Sequence, residues 1–149
     1  MTYTVQVFES IDELDLDDWN QVHELVGDPF TNPYFLRTLQ RTTESSAPLQ
    51  LVIFYDDGTP VAISMVSVCS IDAAILSAGW TRRWIDRVRR VWPGYLRFKM
   101  AMCGSPATIL QEKLCWLPDA DPSEILRLLH EVLSNFARRH GARVCLVLR

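Results

Sequence analysis

The spacing of apolar side chains changes several times along the first part of the chain, and each change predicts an element. Residues 3–9 alternate apolar and polar positions, which predicts a strand. From about Asp15 the apolar residues recur at helical spacing, and Gly27 is placed to end that helix. After a turn at 29–33, Asn32 is the expected N-cap and Pro33 the first residue of a short second helix. The apolar face of the first helix comprises Leu16, Trp19, Val22 and Val26.

A β-hairpin is predicted in the middle of the chain. Residues 48–55 and 60–71 are rich in apolar and β-branched side chains, and Asp56-Asp57-Gly58 separates them. Gly58 supplies the positive φ that a tight hairpin turn requires. Asp56 and Asp57 are therefore interpreted as turn residues and not as a carboxylate pair for acid–base chemistry. Residues 95–102 predict a further strand, and 112–117 a short one.

The last twenty-nine residues predict a capped helix followed by a strand. Asp121 suits the N-cap, Pro122 the first helical position and Gly141 the left-handed C-terminal cap. The run after Gly141 is almost continuously apolar, which is typical of a strand buried on both faces. Such a strand needs neighbours on both sides, so we expect a partner along 144–148. The apolar stripe of the helix comprises Ile125, Leu128, Leu129, Val132, Leu133 and Phe136.

Residues 76–94 combine tryptophans at helical spacing with several arginines, and Pro93-Gly94 ends the pattern. Three interpretations stay open. The segment packs on its own domain with its arginines reaching solvent, contacts another chain or domain, or lies on an anionic membrane surface. The candidate interface residues, here and in the last strand, are Trp80, Trp84, Arg87, Val88, Trp92, Val144, Leu146 and Leu148.

Composition narrows the class of protein. With 149 residues, 48% hydrophobic and 22% charged, the chain suits one globular domain. No apolar run reaches the roughly 20 residues of a membrane span, and the start lacks the features of a signal peptide, so we expect a cytoplasmic protein. The net charge of −3 argues against nucleic acid as a general partner.

Charge is nevertheless distributed unevenly along the sequence. Eight acidic residues lie between Glu9 and Asp28, and no Lys or Arg occurs before Arg37. Seven of the fifteen basic residues lie between Arg82 and Lys99. We expect these two regions to face each other or water.

Residue types that carry chemistry are scattered. Phosphate cradles use clustered glycines at a helix start, and no two of the six glycines here are close, which argues against such a cradle. The cysteines are widely spaced in apolar stretches without a C-x-x-C pair, which favours reduced core thiols. The histidines fall on or beside predicted helices, which favours solvated side chains. These residues are Cys69, Cys103, Cys115 and Cys145, and His23, His130 and His140.

One loop is a candidate pocket wall. Cys103-Gly104-Ser105-Pro106 follows a predicted strand, and it is either a turn with a packing thiol or the mouth of a pocket. With the aromatic residues of the 29–36 turn, the candidate pocket residues are Phe30, Tyr34 and Cys103.

Four short segments together resemble a known family. They are Pro-Phe-Thr-Asn-Pro-Tyr-Phe-Leu at 29–36, Asp-Asp-Gly-Thr-Pro-Val-Ala at 56–62, Met-Cys-Gly-Ser-Pro at 102–106 and Phe-Ala-Arg-Arg-His-Gly-Ala at 136–142. In this order, after a Trp-bearing helix, they resemble the N-terminal half of FemAB-like tandem acyltransferases of the GNAT superfamily.

The resemblance implies an α/β fold in an α+β arrangement, with a mixed, mainly antiparallel sheet flanked by helices. Residues 1–149 would form a single, partial GNAT-like domain that carries a basic Trp/Arg-rich insertion at about 76–94. The last strand would be the fifth of the GNAT sheet, which leaves the fold incomplete at its C-terminal end. The Gln/Arg-x-x-Gly-x-Gly/Ala loop of active GNAT domains is missing, and no catalytic residue of the family has a matching position.

The function that follows from the resemblance is an accessory or N-terminal domain of an N-acyltransferase, which contributes to a substrate cleft. No cofactor would bind this chain alone, and acyl-CoA or aminoacyl-tRNA would bind once a second domain completes the site. The partner would be a second GNAT-like domain, another subunit or a second copy. The alternative is a non-catalytic interaction module that uses its C-terminal strand and the Trp/Arg helix. Peripheral membrane contact is a third, weaker alternative.

Overall fold

The computed structural model describes residues 2–43, 47–104 and 114–146, with only the backbone of Leu76 and Leu146. Short 3-10 turns at Pro29–Thr31 and Ala73–Leu76 accompany the regular elements. The elements in chain order are β1 Tyr3–Phe8, α1 Leu16–Val26, α2 Pro33–Thr43, β2 Leu49–Asp56, β3 Thr59–Asp72, α3 Gly79–Arg89, β4 Arg97–Cys103, β5 Leu114–Trp116, α4 Pro122–His140 and β6 Val144–Leu146.

The described strands form one mixed sheet in the order β1-β2-β3-β4-β6, with β5 also paired to β3. Every pairing is antiparallel except that of β4 with β6. The helix α4 connects into that parallel pair, as a crossover between parallel strands requires. The predicted fold class, a mainly antiparallel sheet flanked by helices, is confirmed.

The long strand β3 organises the sheet. It has 14 residues and pairs with β2 along one edge. Along its other edge it pairs first with β5, from Ala62 to Ser64, and then with β4, from Val66 to Asp72. Since both partners run antiparallel to β3 along the same edge, β4 and β5 lie in one line. The sequence predicts both strands but not their shared line.

Helices cover both faces of the sheet, which explains the full burial of β2. Val52 and Phe54 point into the core beneath α4, and Leu51 and Ile53 into the core beneath α1 and α2. All four are at most 1% exposed. The Tyr55 hydroxyl also donates to Asp18 at 2.9 Å, which ties α1 to this strand.

The predicted caps and apolar stripe of α4 are confirmed. Asp121 accepts from the backbone N–H of Ser123 at 2.9 Å, and Gly141 adopts the left-handed conformation with φ 66°. Every residue of the predicted stripe is buried. Burying one such side chain contributes about 1.5–3 kcal/mol, so packing stabilises this helix more than its propensity does.

Burial differs from the sequence-based predictions in three places. The last strand was expected to be buried on both faces, yet Val144 is 42% exposed and Cys145 is exposed, because β6 lies at the edge of the described sheet. Cys145 is therefore not a core thiol, whereas the other three cysteines are buried. In α1, Leu16 and Val26 are each 39% exposed because they lie at the helix ends. Leu148 falls outside the described residues, as does the side chain of Leu146.

Candidate functional site

The connection between α1 and α2 lies close to β5, since α1 packs against both β3 and β5. Gly27 ends α1 in the left-handed conformation, with φ 70°, and donates to the carbonyl of His23 at 2.7 Å. This cap turns the chain sharply into 28–31. The turn is thereby placed over the sheet at the β5 end of β3.

A hydrogen-bonded chain of side chains holds this turn. The buried Thr31 hydroxyl donates to the carbonyl oxygen of Asp28 at 2.8 Å and lies 2.7 Å from His23 Nδ1. Because the hydroxyl proton is already used, Nδ1 must carry a hydrogen and donate to Thr31. In the neutral ring Nε2 is then the basic nitrogen. The Trp19 indole N–H donates to the Thr31 carbonyl at 2.8 Å and fixes the turn from the core side.

A carboxylate and a thiol meet beside this chain. Asp28 Oδ1 accepts from the backbone N–H of Phe30 at 2.9 Å, and Asp28 Oδ2 lies 3.8 Å from the buried thiol of Cys115 on β5. We call His23, Asp28, Thr31 and Cys115 the loop site. It offers two proton acceptors, the Asp28 carboxylate and His23 Nε2, and both residues are half-buried.

No pattern in the sequence predicts the loop site. His23 was expected to be a solvated helix residue, and the structure corrects this, because its ring is half-buried and bonded to Thr31. Asp28 and Cys115 lie 87 positions apart in the sequence, so no local pattern relates them. The sequence Gly27-Asp28-Pro29 predicts a turn at this position, but it does not indicate which strand the turn packs against.

The predicted pocket of Phe30, Tyr34 and Cys103 is not formed by the described residues. Phe30 packs edge-on against Phe35 with ring centroids 5.4 Å apart, on the α2 side of the sheet, and Tyr34 is 81% exposed. Cys103 lies in the core beneath α4, with its sulfur 3.2 Å from the Ser64 hydroxyl. These residues are on opposite sides of the sheet. Of the loop after Cys103, residues 105–113 lie outside the described part.

The start of α4 is capped by its own side chains. A helix N-terminus binds phosphate through free N–H groups and its dipole. Here the Asp121 carboxylate occupies the N-cap, and Pro122 at the first position has no N–H. Asp119 and Glu124 add further negative charge on either side.

The tryptophans of α3 face away from the domain. Ile85 is the buried residue of this helix, whereas Trp80 is 79% and Trp84 51% exposed. Trp92, after the helix, is 64% exposed. The segment packs on its own domain through Ile85, whereas these three tryptophan side chains are largely exposed, so the three interpretations of its role stay open. Among the other candidate interface residues of the segment, Arg87 is exposed and Val88 is half-buried.

Ion pairs hold the α3 segment to the end of β3. Arg89 donates to both carboxylate oxygens of Asp72, at 2.6 and 3.0 Å, and to the carbonyl of Tyr95 at 3.0 Å. This bidentate contact with Arg89 holds the pKa of the Asp72 carboxyl well below its ordinary value. Arg97 lies 3.5 Å from the same carboxylate, and Arg82 pairs with Asp86. These basic side chains thus pair within their own segment and not with the acidic stretch of 9–28.

A groove lies beside α3, between the starts of β4 and β6. Its volume is about 690 Å³, and three cationic residues line it: Arg97, Lys99 and Arg143. Trp92 and Asp72 also belong to its lining. The described residues contain no group of three or more metal-binding side chains, and they form no helix long and apolar enough to cross a bilayer.

Comparisons with solved structures match the whole chain. An aminoglycoside N-acetyltransferase, AAC(6')-Iy, in complex with a CoA-based bisubstrate analogue aligns with a TM-score of 0.58 at 9% identity, over 100% of this chain and 80% of that one. The enzyme AAC(6')-IG from Acinetobacter haemolyticus aligns with a TM-score of 0.54 at 13% identity, over 100% and 79%. A GNAT family acetyltransferase from Staphylococcus aureus aligns with a TM-score of 0.52 at 10% identity, over 100% and 87%.

Sequence comparison adds no relative, since no protein-family model and no curated protein matches the chain. At identities of 9–13% the structural likeness shows the fold alone. The FemAB-like tandem arrangement stays a prediction. The protein has the fold of the GNAT acetyltransferases.

Proposed function

We propose that this chain is an accessory, N-terminal GNAT-like domain of an N-acyltransferase, which forms one wall of the cleft for the acyl acceptor. One observation carries the proposal. The chain has a GNAT fold, and the N-terminus of its helix α4 is capped by the Asp121 carboxylate. Asp119 and Pro122 lie on either side of this cap in the sequence. Carboxylates at a helix start repel a phosphate group, so the acyl donor is bound elsewhere in the assembly.

The loop site supplies the contribution to the cleft. Transfer of an acyl group to an amine needs an amine that has lost its proton, and a nearby base accepts that proton. His23 Nε2 and the Asp28 carboxylate are suited to bind the ammonium form of such an acceptor and to receive its proton. Thr31 fixes the tautomer of His23 through its hydroxyl, 2.7 Å from Nδ1.

The acyl donor, acyl-CoA or aminoacyl-tRNA, would be bound by a second GNAT-like domain, another subunit or a second copy. Similar solved structures include the aminoglycoside N-acetyltransferase AAC(6')-Iy in complex with CoA, which supports a CoA-type donor. The β6 edge supports a partner on that side, because an edge strand offers unpaired backbone groups to a neighbouring chain.

Calorimetric titration of the chain with acetyl-CoA tests the proposal. We expect no binding tighter than about 1 mM, which corresponds to about −4 kcal/mol. The variant Asp119→Asn/Asp121→Ser keeps a side-chain cap but removes both charges, so any weak binding should become stronger. Micromolar affinity of the unmodified chain for acetyl-CoA would overturn the accessory role and favour a complete acetyltransferase.

A second candidate function, a non-catalytic interaction module, is favoured by the exposed edge of β6. Val144 and Cys145 are both exposed there and leave an apolar strand edge. Such an edge pairs with another strand by β-augmentation. Light scattering under reducing conditions distinguishes the two functions. A stable dimer that Val144→Lys converts to monomer supports the interaction module, and a monomer at all concentrations contradicts self-association through β6.

A further inference from the structure

Three tryptophans and one valine project into solvent from the excursion that joins β3 to β4. We call Trp80, Trp84, Val91 and Trp92 the tryptophan face. Their exposed fractions are 79%, 51%, 91% and 64%. Ile75, at the start of the same excursion, is a further 76% exposed. Large apolar side chains exposed together in one segment of a folded domain indicate a binding surface.

The tryptophan face is held outward by the domain itself. The Arg89–Asp72 ion pair fixes the end of α3, with Arg89 only 11% exposed. Arg82 donates to the carbonyl of Ala74 at 2.9 Å and fixes its start. The rings of Trp84 and Trp92 both contact Tyr95, with centroids 5.9 and 5.8 Å apart. The face is therefore preorganised and does not need a partner to form.

Positive charge is concentrated around this face. Residues 72–99 contain seven basic and two acidic residues, a net charge of +5. The rest of the chain contains eight basic and sixteen acidic residues, a net charge of −8. Arg83 and Arg87 on α3, and Arg90 directly after it, are exposed in the same segment as the tryptophans. An anionic surface is thus attracted to this side of the molecule, although the whole protein is acidic.

The adjoining groove adds a site for a discrete anion. Arg97, Lys99 and Arg143 line it, and Trp92 belongs to both the groove and the tryptophan face. Asp72 also lines the groove, but its carboxylate is already paired with Arg89 and Arg97. A phosphate group that enters the groove therefore meets a surplus of positive charge.

We propose that the tryptophan face and this groove bind the surface of an anionic phospholipid bilayer. Tryptophan rings with one polar edge settle at the headgroup level, while neighbouring arginines contact lipid phosphates. A lipid surface fits better than a protein partner because the side chains protrude. The anchor residues of protein interfaces typically fill pockets on the opposite chain. Charged residues are depleted at the core of such interfaces.

Bilayer binding would orient the domain. The excursion leaves the sheet at Asp72, whereas β5 and the loop site lie beside Ser64 of the same strand. Eight residues of extended chain span about 26 Å. The loop site would then face the aqueous phase, well above the lipid surface. The lipid-binding inference does not depend on the proposed acyl-transfer function.

Sedimentation with lipid vesicles tests the inference. The full chain should sediment with vesicles containing phosphatidylglycerol and phosphatidylcholine, but not with vesicles of phosphatidylcholine alone. Binding should weaken as salt rises toward 1 M, because the Debye length falls to about 3 Å. Tryptophan fluorescence should shift to shorter wavelength when the rings leave water.

Paired variants test whether vesicle binding depends on the tryptophan face or on any exposed apolar side chain. Trp80→Ala/Trp84→Ala should weaken vesicle binding by more than about tenfold, a loss of about 1.4 kcal/mol. The control Leu25→Ala/Tyr34→Ala removes two side chains that are 73% and 81% exposed on other helices, and should leave binding unchanged. Because all four side chains are exposed, circular dichroism should show every variant folded.

A second pair of variants tests the charge. Arg83→Gln/Arg143→Gln should reduce binding to the anionic vesicles, whereas Arg41→Gln/Arg138→Gln, on other helices, should not. The inference is overturned if the chain ignores anionic vesicles at low salt, or if both pairs lose binding equally. If the chain forms a dimer that Trp80→Ala/Trp84→Ala dissociates, the tryptophan face is a protein interface and the lipid inference is overturned. If the chain binds RNA and the same variant loses that binding, the inference is overturned in favour of nucleic acid.

Discussion

Asp72 connects three parts of the molecule through one carboxylate. It caps the turn after β3 by accepting from the backbone N–H of Ala74 at 2.9 Å, and it pairs with Arg89 and Arg97 from the two sides of the excursion. The ionised form is the one that makes these contacts, so the folded protein keeps the pKa of this carboxyl low.

The lowered pKa predicts how stability depends on pH. The pKa of an aspartate in an unfolded chain is about 3.9, and the pKa of Asp72 in the folded protein is lower. The stabilisation is therefore complete above about pH 4 and is lost as pH falls further. Urea unfolding between neutral and strongly acidic pH should show this loss, and Asp72→Asn should reduce it. A variant with the unmodified acid profile would contradict the role of Asp72, and Asp119→Asn is the control.

The hydrogen bonds of the Thr31 hydroxyl give a second prediction at the residue scale. Thr31→Val keeps the side-chain volume but removes the hydroxyl that bonds to Asp28 and His23. We expect a loss of about 1 kcal/mol in the free energy of unfolding, because the half-buried His23 ring loses its hydrogen-bond partner. Imidazole nitrogen NMR should also show that His23 no longer holds its hydrogen mainly on Nδ1. An unchanged tautomer would contradict the assigned hydrogen-bond chain.

At the scale of elements, the sequence predicts those helices and turns that local caps, turn residues and apolar spacing determine. The hairpin of β2 and β3 follows from its Asp57-Gly58 turn, with φ of 46° and 85°, and α4 follows from its caps and stripe. The orientation of α3 could not be predicted in this way. Its sequence is amphipathic, but tertiary contacts of Ile85 and Arg89 decide which face meets the domain, and they turn the tryptophans outward.

The N-cap of α4 gives a prediction at this scale. Asp121→Ala should destabilise the fold by about 1 kcal/mol, because the Ser123 N–H loses its side-chain acceptor. Asp121→Ser should restore most of that loss, since a hydroxyl also accepts at the N-cap. Thermal unfolding of the three proteins under one condition provides the comparison. Equal destabilisation by both variants would indicate that the negative charge, and not the cap, is what matters.

For the whole molecule, the unpredicted features depend on strand pairing over long sequence distances. Nothing local in Leu114–Trp116 indicates that it extends the line of β4 along β3, and the loop site exists only because of that alignment. The edge position of β6 was likewise not visible in its apolar sequence, since burial depends on neighbours and not on composition. Fold class could be predicted, and the location of the loop site could not.

The antiparallel pairing of β3 with β4 has a consequence for how this protein can change. Asp72 and Arg97 are register partners, and the Ala73 N–H donates to the Leu96 carbonyl at 2.9 Å, so the excursion starts and ends at one point of the sheet. Residues 73–96 are therefore an exchangeable cassette. A two-residue Asn-Gly turn in their place should leave the sheet folded, with a loop-closure cost lower by roughly 2 kcal/mol. Homologous proteins would be able to gain or lose such a cassette, and the surface it binds, without altering the opposite end of the sheet.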